Sequence, residues 1–426
     1  MRLVRWTPAS ANYAWLFDLL FARSPLVTWA AAGELPAGFR RVEQFAILPG
    51  GGGRTFMVSL ASRRGSSAAL TSYNALRPMR RRLGRAAAGL ALRSGLGQRM
   101  LSSRIDVGVA ADATAAQLAG ALLGEHLAEL LGGQPVVVAF GGGSGPYRKP
   151  VLQVFGVDGT PLGYVKIGWN DWTRNAVRRE AAALAACAAS PMRLGVPDLL
   201  HHVQWQGLEL MVTAPLPTGV RRPGNSLPET GVLREICQLS PACTTELAAS
   251  SWWSELRARI SAGVADPAAR TRLESVADGL AHAHGAVPLE FGRWHGDLVP
   301  WNLARLGSRY FAWDWESSAP VAPVGFDVLH FYFQIAFVAE RRSLDEAVEL
   351  AARQAGSALA ALGVAASASD LLANLHLLEL TVRHEEAHSA AGDADDRFFP
   401  AVLDILEQAD PIEPDRTGLH PAERVA

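Results

Sequence analysis

A segment near residue 300 constrains this chain most, because it sets three polar side chains among bulky apolar ones. It runs as Trp-His-Gly-Asp-Leu-Val-Pro-Trp-Asn-Leu from Trp294 and ends as Phe-Ala-Trp-Asp-Trp-Glu at Glu316. Asp297, Asn302 and Asp314 carry hard oxygen atoms, which magnesium accepts as ligands, usually with only one or two protein carboxylates. The pattern therefore suits a carboxylate that orients a hydroxyl, beside a magnesium ion held against phosphates.

The segment resembles the catalytic segment of the aminoglycoside phosphotransferase and choline kinase-like family. The resemblance rests on a His-Gly-Asp motif ending at Asp297, on Asn302 and on an Asp-Trp-Glu motif that starts at Asp314. A Gly-Phe-Asp motif ending at Asp327 also resembles a later family motif. The resemblance implies Asp297 as the catalytic base and Asn302 and Asp314 as magnesium ligands. The alternative is a strand–loop–strand whose polar residues only cap turns.

Residues 135–167 predict a sheet with a glycine-rich loop. Strands are expected at Pro135–Phe140, Val151–Val157 and Leu162–Ile167, with an Asp-Gly turn before the last. Glycines in the first connection allow backbone N–H groups to approach phosphate oxygens, although no Walker A sequence closes the loop. By itself, such a loop is more often a simple hairpin connection. The nucleotide contacts expected there are Gly142, Gly143, Ser144 and Gly145.

A lysine and a glutamate are predicted to pair behind this loop. The chain has only two lysines, Lys149 and Lys166, against 38 arginines, so a reason specific to an ammonium group is expected for each. Glu180 lies on the apolar stripe of a helix predicted from residue 170 or 171 to about Ala189, and a buried carboxylate is costly unless paired. Lys166 is its expected partner, as in the kinase Lys–Glu pair that aligns phosphates. The alternatives are an exposed strand lysine and a glutamate that reaches solvent.

Two further strands are predicted at Leu199–Gln204 and Leu208–Thr213, before a proline-rich break. In the kinase-like fold this break is the hinge whose backbone meets adenine, so the expected contacts include Val212 and Ala214. Helices are predicted across 227–286 and in three later segments, which are 328–338, 368–388 and 398–408.

The resemblance, together with these elements, implies an α+β, bilobal protein kinase-like fold with an extra N-terminal region. It has a small antiparallel-sheet N-lobe and a mainly helical C-lobe. The expected domains are a basic accessory region at 1–105, the N-lobe at 106–216, the C-lobe with the catalytic loop at 217–410 and a flexible tail at 411–426. A helix is also predicted at Asp112–Leu131, after an N-cap at Asp112 or Thr114.

The accessory region concentrates positive charge. Residues 1–105 hold 16 arginines, no lysine and three acidic residues, whereas the remainder holds 24 basic and 38 acidic residues. A strand pair is predicted at Phe45–Pro49 and Thr55–Leu60, and an arginine-rich helix at 75–101. This helix suits an anionic partner such as membrane headgroups, an acidic substrate or nucleic acid. A solvated helix face is the favoured interpretation, and no specific nucleic-acid signal is present.

Composition indicates an ordinary globular protein in a reducing compartment. Its 426 residues are 49% hydrophobic and 19% charged, and its three cysteines form no metal-ligand spacing. No apolar run approaches the length of a membrane span, so a cytoplasmic location without a membrane span is expected.

The activity that the resemblance implies is phosphoryl transfer from ATP, with GTP as the alternative donor, to a hydroxyl of a small molecule, with Mg²⁺. Carboxylates in the C-terminal part would suit a cationic acceptor, but a solvated helix end explains them equally well; they are Glu379, Glu385, Glu386, Asp393, Asp395 and Asp396. His295 is expected to brace the catalytic loop by hydrogen bonding. Two other classes stay open, a protein kinase and a non-catalytic nucleotide-binding or scaffold protein.

Overall fold

The computed structural model describes residues 8–49, 55–72, 76–77, 79–95, 103–142, 148–391 and 398–408. These residues form two compact units. The first unit comprises the described residues of 1–188, 195–222 and 304–316, and the second comprises those of 189–194, 223–303 and 317–426. The predicted α+β class is confirmed, since the first unit holds a large antiparallel sheet and the second is mainly helical.

The sheet of the first unit has nine antiparallel strands in the order β1-β4-β2-β3-β5-β6-β7-β9-β8. The strands are β1 (Val27–Ala31), β2 (Phe39–Pro49), β3 (Thr55–Ser59), β4 (Arg104–Ala110), β5 (Val136–Gly141), β6 (Val151–Gly156), β7 (Pro161–Gly168), β8 (Leu199–Trp205) and β9 (Leu208–Thr213).

Strands from the predicted accessory region belong to this same sheet. The pairing of β3 with β5 sets Phe56 opposite Gly141 and Val58 opposite Ala139, so one hydrogen-bonded ladder continues across both segments. The boundary predicted at residue 105 falls inside β4. Because β3 and β5 pair, neither presents an open edge there, and the sheet is larger than the small sheet expected from the sequence.

Helices cover both faces of the sheet. On one face, Phe17 of α1 (Pro8–Phe21) packs against Phe45 and Phe140, and α4 (Ala115–Leu118) and α5 (Leu123–Leu130) join the same core. On the other face, α2 (Arg63–Thr71) and α3 (Met79–Ser94) bury Ala69, Leu70 and Leu92 against alternate strand residues. The two faces use alternating positions, as the pleat of a strand requires.

Local backbone signals explain where the first unit departs from the prediction. The helix expected at Asp112–Leu131 is two helices, α4 and α5, because Gly120 between them has a positive φ of 73°. Thr114 is the N-cap, in a capping box with Gln117. The described part of the helix expected at 75–101 is α3, and α1 and α2 were missed by the sequence analysis.

Two more elements complete the first unit. The helix α6 (Asp171–Ala188) follows β7, as predicted. The strands β12 (Leu303–Leu306) and β13 (Arg309–Ala312) form a two-stranded sheet, and a bridge joins Phe311 to Gly195 within this unit.

The described residues of the second unit form the seven helices α7–α13 and one three-stranded sheet, in the order β10-β11-β14. A strand, β10, interrupts the region predicted as helical at 227–286. The elements are α7 (Thr230–Cys237), β10 (Cys243–Glu246), α8 (Ser251–Gly263), α9 (Pro267–His284), β11 (Pro288–Trp294), β14 (Ala319–Pro323), α10 (Phe326–Gln334), α11 (Leu344–Ala361), α12 (Ser369–Ala391) and α13 (Phe398–Gln408).

None of the helices within the described ranges combines the length and the apolar character that crossing a membrane requires.

Replacing Phe17 by Ala tests the packing of α1 on the sheet. Phe17 is fully buried and contacts five other aromatic rings, so the cavity should lower the free energy of unfolding by about 3–5 kcal/mol. Urea denaturation measures this difference. The control is Val42→Ala on β2, whose side chain is exposed and should change stability by less than about 0.5 kcal/mol. Equal effects for the two variants would contradict this packing.

Candidate active site

The first unit brings Lys166 together with two carboxylates. Val165 and Ile167 are buried in the core, so the alternation of β7 points Lys166 to the opposite side. Its Nζ donates to Oε2 of Glu180 at 2.5 Å and also donates to the carboxylate of Asp314. The predicted contact between Lys166 and Glu180 is therefore present.

The second lysine of the chain lies at the same group of acids. Lys149 Nζ lies 2.8 Å from Oε2 of Glu316, two residues after Asp314. Oxygen atoms of Glu180, Asp314 and Glu316 all lie within 4.8 Å of one another. Both lysines of this arginine-rich chain thus pair with one cluster of three carboxylates, which we call the carboxylate cluster.

Electrostatics in the carboxylate cluster favour a further cation. Burial alone would lower the pKa of Lys166, but the charges of Glu180, Asp314 and Glu316 raise it overall. Burial, followed by repulsion from Asp314 and Glu316, raises the pKa of Glu180 despite the nearby ammonium group. Three carboxylates facing two lysines leave an excess of negative charge. A divalent cation with oxygen ligands would relieve that excess.

The backbone at Asp314 is unusual. Its φ of 72° lies in the left-handed region, which asparagine and aspartate enter more readily than other non-glycine residues. Such conformations cluster at functional sites because surrounding contacts must hold them. Here the carboxylate is held by Lys166.

The second unit holds Asp297 and Asn302 in one hydrogen-bonded loop after β11. Asn302 Nδ2 donates to Oδ2 of Asp297 at 2.8 Å and to its backbone oxygen at 3.1 Å. The amide oxygen of Asn302 is thereby left as the atom that can ligate a metal. His330 Nε2 lies 3.2 Å from Oδ1 of Asp297, and His376 Nε2 lies 3.4 Å from Nδ1 of His330.

The loop that carries Asp297 is braced from behind by Asp327. Its carboxylate accepts the backbone N–H groups of His295 at 2.8 Å and Gly296 at 3.0 Å. The backbone N–H of Asp297 donates to Nδ1 of His295 at 3.2 Å, so His295 braces the loop as predicted. Gly296 has a φ of 82°, and a Cβ there would overlap the carbonyl oxygen of Ser317.

Two of the acids considered for a cationic acceptor, Glu379 and Glu386, have arginine partners. Arg383 donates to Oε1 of Glu379 at 2.7 Å and to the backbone oxygen of Gly296 at 3.0 Å. Arg259 binds both Glu379 and Glu386, with distances of 2.8–3.1 Å. These carboxylates thus serve internal ion pairs. Asp393, Asp395 and Asp396 lie outside the described residues.

The structure describes only some of the residues that were predicted to contact the nucleotide. The N–H of Gly142 donates to the carbonyl of Thr55 at 2.7 Å, and Gly143, Ser144 and Gly145 lie outside the described residues. Val212 is buried within β9, and the N–H of Ala214 donates to the carbonyl of Asp198 at 2.8 Å. Adenine contacts at Val212 and Ala214 therefore stay a prediction.

Four functional candidates were missed or left without a role by the sequence analysis. They are Lys149, Glu316, His330 and Arg383. The rarity of lysine already singled out Lys149, and Glu316 belonged to the quoted motif. His330 had a weaker signal, which was its position three residues after Asp327, on the same side of a helix.

Asn302 of the second unit and Asp314 of the first unit are close in the sequence. Asn302 comes directly before β12, and Asp314 comes two residues after β13, to which β12 is paired.

Similarity to known proteins is found among solved structures. A scan against models of protein families finds no match, and a search of curated proteins finds none either. Among solved structures, a choline kinase from Streptococcus pneumoniae matches with 12% identity and a TM-score of 0.41, over 61% of this chain and 88% of that chain. A choline/ethanolamine kinase family protein from Mesorhizobium loti matches with 17% identity and a TM-score of 0.39, over 66% and 92%.

An aminoglycoside phosphotransferase in complex with ADP and hygromycin B matches with 14% identity and a TM-score of 0.39, over 67% of this chain and 97% of that chain. At these identities and scores, the assignment of function rests on the residues of the site.

Replacing Glu379 by Gln tests the ion pairs that support the loop carrying Asp297. Burial alone would raise the pKa of Glu379, but Arg259 and Arg383 lower it overall. A lowered pKa stabilises the fold above the ordinary pKa, near 4.3, and this stabilisation is lost as the pH falls through the native value. We expect a loss of about 3 kcal/mol at pH 7, measured by urea denaturation, that shrinks below about pH 4.

The matched control for this variant is Glu255→Gln, on the same helix as Arg259 but exposed. It should leave stability unchanged at both pH values. A constant loss for Glu379→Gln at every pH would speak against the ion-pair explanation.

Proposed function

We propose that this protein is an ATP-dependent phosphotransferase that transfers the γ-phosphoryl group to a hydroxyl of a small molecule. The observation that carries the proposal is the pairing of both lysines with the carboxylate cluster. Arginine supplies almost every other cation in the chain, and a compact ammonium group is well suited to a phosphate and metal site.

The residues present fit magnesium and a nucleotide. The candidate ligands are the amide oxygen of Asn302 and the carboxylate of Asp314, both hard donors, and the excess charge of the cluster favours a divalent cation. When bound, magnesium would neutralise charge on the phosphate oxygens. Lys166, held by Glu180, would align the phosphates, and its neighbours on β7 keep the strand fixed in the core.

Asp297 would orient the acceptor hydroxyl and accept its proton. Its carboxylate already contacts Asn302 and His330, so one donor lies at each oxygen. These two contacts fix the direction of the remaining lone pairs toward an incoming hydroxyl. Phosphoryl transfer depends mainly on positioning and on electrostatic stabilisation, and the site would supply both.

His330 is the group that we expect to set the orientation of Asp297. Burial, as the largest cause, lowers the pKa of His376 well below its ordinary value, so His376 is neutral. A carboxylate accepts hydrogen bonds and does not donate them, so Nε2–H of His330 would donate to Asp297. Nε2–H of His376 then donates to Nδ1 of His330, which selects this tautomer.

The ion pairs of Arg259 with Glu379 and Glu386 narrow the range of acceptor molecules that we propose. Glu379 and Glu386 are engaged by Arg259 and therefore do not argue for a cationic acceptor. The proposal accordingly covers small molecules with a free hydroxyl, such as a sugar, and an aminoglycoside or amino alcohol would need other contacts.

Two measurements test the function. ATP should raise the melting temperature only slightly without magnesium and more with it, because the cation neutralises the carboxylate cluster and the phosphates. A panel of hydroxyl acceptors, followed by mass spectrometry, should show a product heavier by one phosphoryl group. Labelled phosphate on protein, with none on any acceptor, would indicate a protein kinase instead. Nucleotide binding without any transfer would contradict the proposal.

Asp297→Asn should lower kcat by about 10²–10⁴-fold, because the amide cannot accept the proton from the acceptor hydroxyl. The affinity for ATP and magnesium, measured by calorimetry, should change by less than about threefold, since Asp297 is assigned to the acceptor and not to the phosphates. A variant as active as the parent would remove Asp297 from the role of base.

His330→Leu should lower kcat by about 10–100-fold, because an unrestrained carboxylate spends less time in the productive orientation. His330→Gln should recover most of the loss, since its amide can donate from nearly the position of Nε2. The KM for ATP should stay unchanged in both variants. If Gln and Leu were equally impaired, a packing role for the ring would explain the loss better.

A further inference from the structure

The helix α3 presents an apolar face to solvent. Leu83 and Leu90 are 68% and 69% exposed, which exceeds every other exposed large hydrophobic residue among those described. They are seven residues apart and therefore lie on the same side of the helix. Ala86 and Ala87 between them are also exposed, and we call these four residues the leucine face.

Packing on the opposite side fixes which residues face outward. Gly89 and Leu92 are buried against α2, and a Cβ at Gly89 would approach Cγ2 of Thr71 to 2.9 Å. Arg85 also points inward, because it donates to the backbone oxygens of Leu70 and Ala69 at the end of α2. The helix cannot turn the leucine face inward without losing these contacts.

Positive charge is concentrated in the sequence around α3 and at the C-terminal end of the helix. Residues 44–105 contain 11 arginines, no lysine and no acidic residue. Arg93 is exposed on the last turn of α3, and the Arg63 guanidinium lies beside Gly95, just past the end of the helix. Arg64 is exposed next to Arg63. An exposed apolar stripe flanked by arginines is the pattern of a helix that lies in a membrane interface.

We propose that the leucine face of α3 docks on the surface of an anionic lipid bilayer. The leucines would enter the boundary between headgroups and acyl chains, and the arginines would contact lipid phosphates. Two other partners fit less well. A nucleic acid would satisfy the arginines but leave Leu83 and Leu90 in water. A second copy, paired through the same face, would bring the arginines of both copies together.

Vesicle flotation tests the proposal, using the full chain and two kinds of vesicle. One is pure phosphatidylcholine and the other contains about 30% phosphatidylglycerol, enough to give a negative surface potential. We expect binding to the anionic vesicles only, weakening as salt is raised. Hydrogen exchange with vesicles present should slow in α3.

The double variant Leu83→Gln/Leu90→Gln should bind the anionic vesicles at least about tenfold more weakly, because both apolar insertions are lost. Both positions are exposed, so the melting temperature should not fall. The matched control is Val157→Gln, which removes an exposed apolar side chain elsewhere in the first unit and should bind like the parent.

Several outcomes would overturn the proposal. These are no binding to anionic vesicles, equal binding to neutral ones, or undiminished binding by the double variant. A dimer in light scattering that the double variant abolishes would assign the face to a second copy, and tight DNA binding without vesicle binding would assign the arginines to nucleic acid. The vesicle experiments measure no phosphoryl transfer, so a negative result would not bear on the proposed function. A negative result in the acceptor panel would likewise not bear on membrane binding.

Discussion

The ion pairing of Lys166 is the interaction on which the candidate site of the first unit depends. A buried ammonium group is costly without compensating charge, and Glu180 from α6 together with Asp314 after β13 supplies it. This contact ties a strand, a helix and a hairpin end to one point. It also explains the left-handed backbone of Asp314, which is stabilised by the same ammonium group.

In the second unit, buried charged side chains hold the loop that carries Asp297. The loop that carries Asp297 needs its backbone N–H groups satisfied away from water, and the carboxylate of Asp327 accepts two of them. Arg383 binds the carbonyl of Gly296 from the other direction and stacks over the ring of Trp294 at 4.1 Å. Buried charges here shape the loop, and the catalytic assignment to Asp297 depends on that shape.

The nine-stranded sheet places the basic N-terminal residues in the same unit as the carboxylate cluster. Because β3 pairs with β5, the strands of residues 27–110 extend the sheet that carries Lys166. One face of that extension is covered by α2 and α3, and α3 leaves Leu83 and Leu90 in solvent. A membrane-docking helix and a nucleotide site built on one sheet would give the proposed enzyme a fixed connection between them.

The sequence by itself determined the features that depend on short spacing and on backbone periodicity. The alternation around Lys166 and the helical stripe through Glu180 predicted their contact, and the strands and helices from residue 136 to 213 lie close to their expected bounds. Local turn chemistry was less decisive, as the break at Gly120 shows, because one residue with a positive φ outweighs a helical pattern.

Only the tertiary structure decided which distant residues share a site. Lys149 with Glu316, His330 with Asp297, and Arg259 with Glu379 are separated by 33 or more positions, and no local pattern specifies such pairs. The pairing of β3 with β5, which lie far apart in the sequence, could not be predicted either, since many registers have similar hydrophobic patterns. Long-range contacts depend on the packing of whole elements, so they appear only once the fold is assembled.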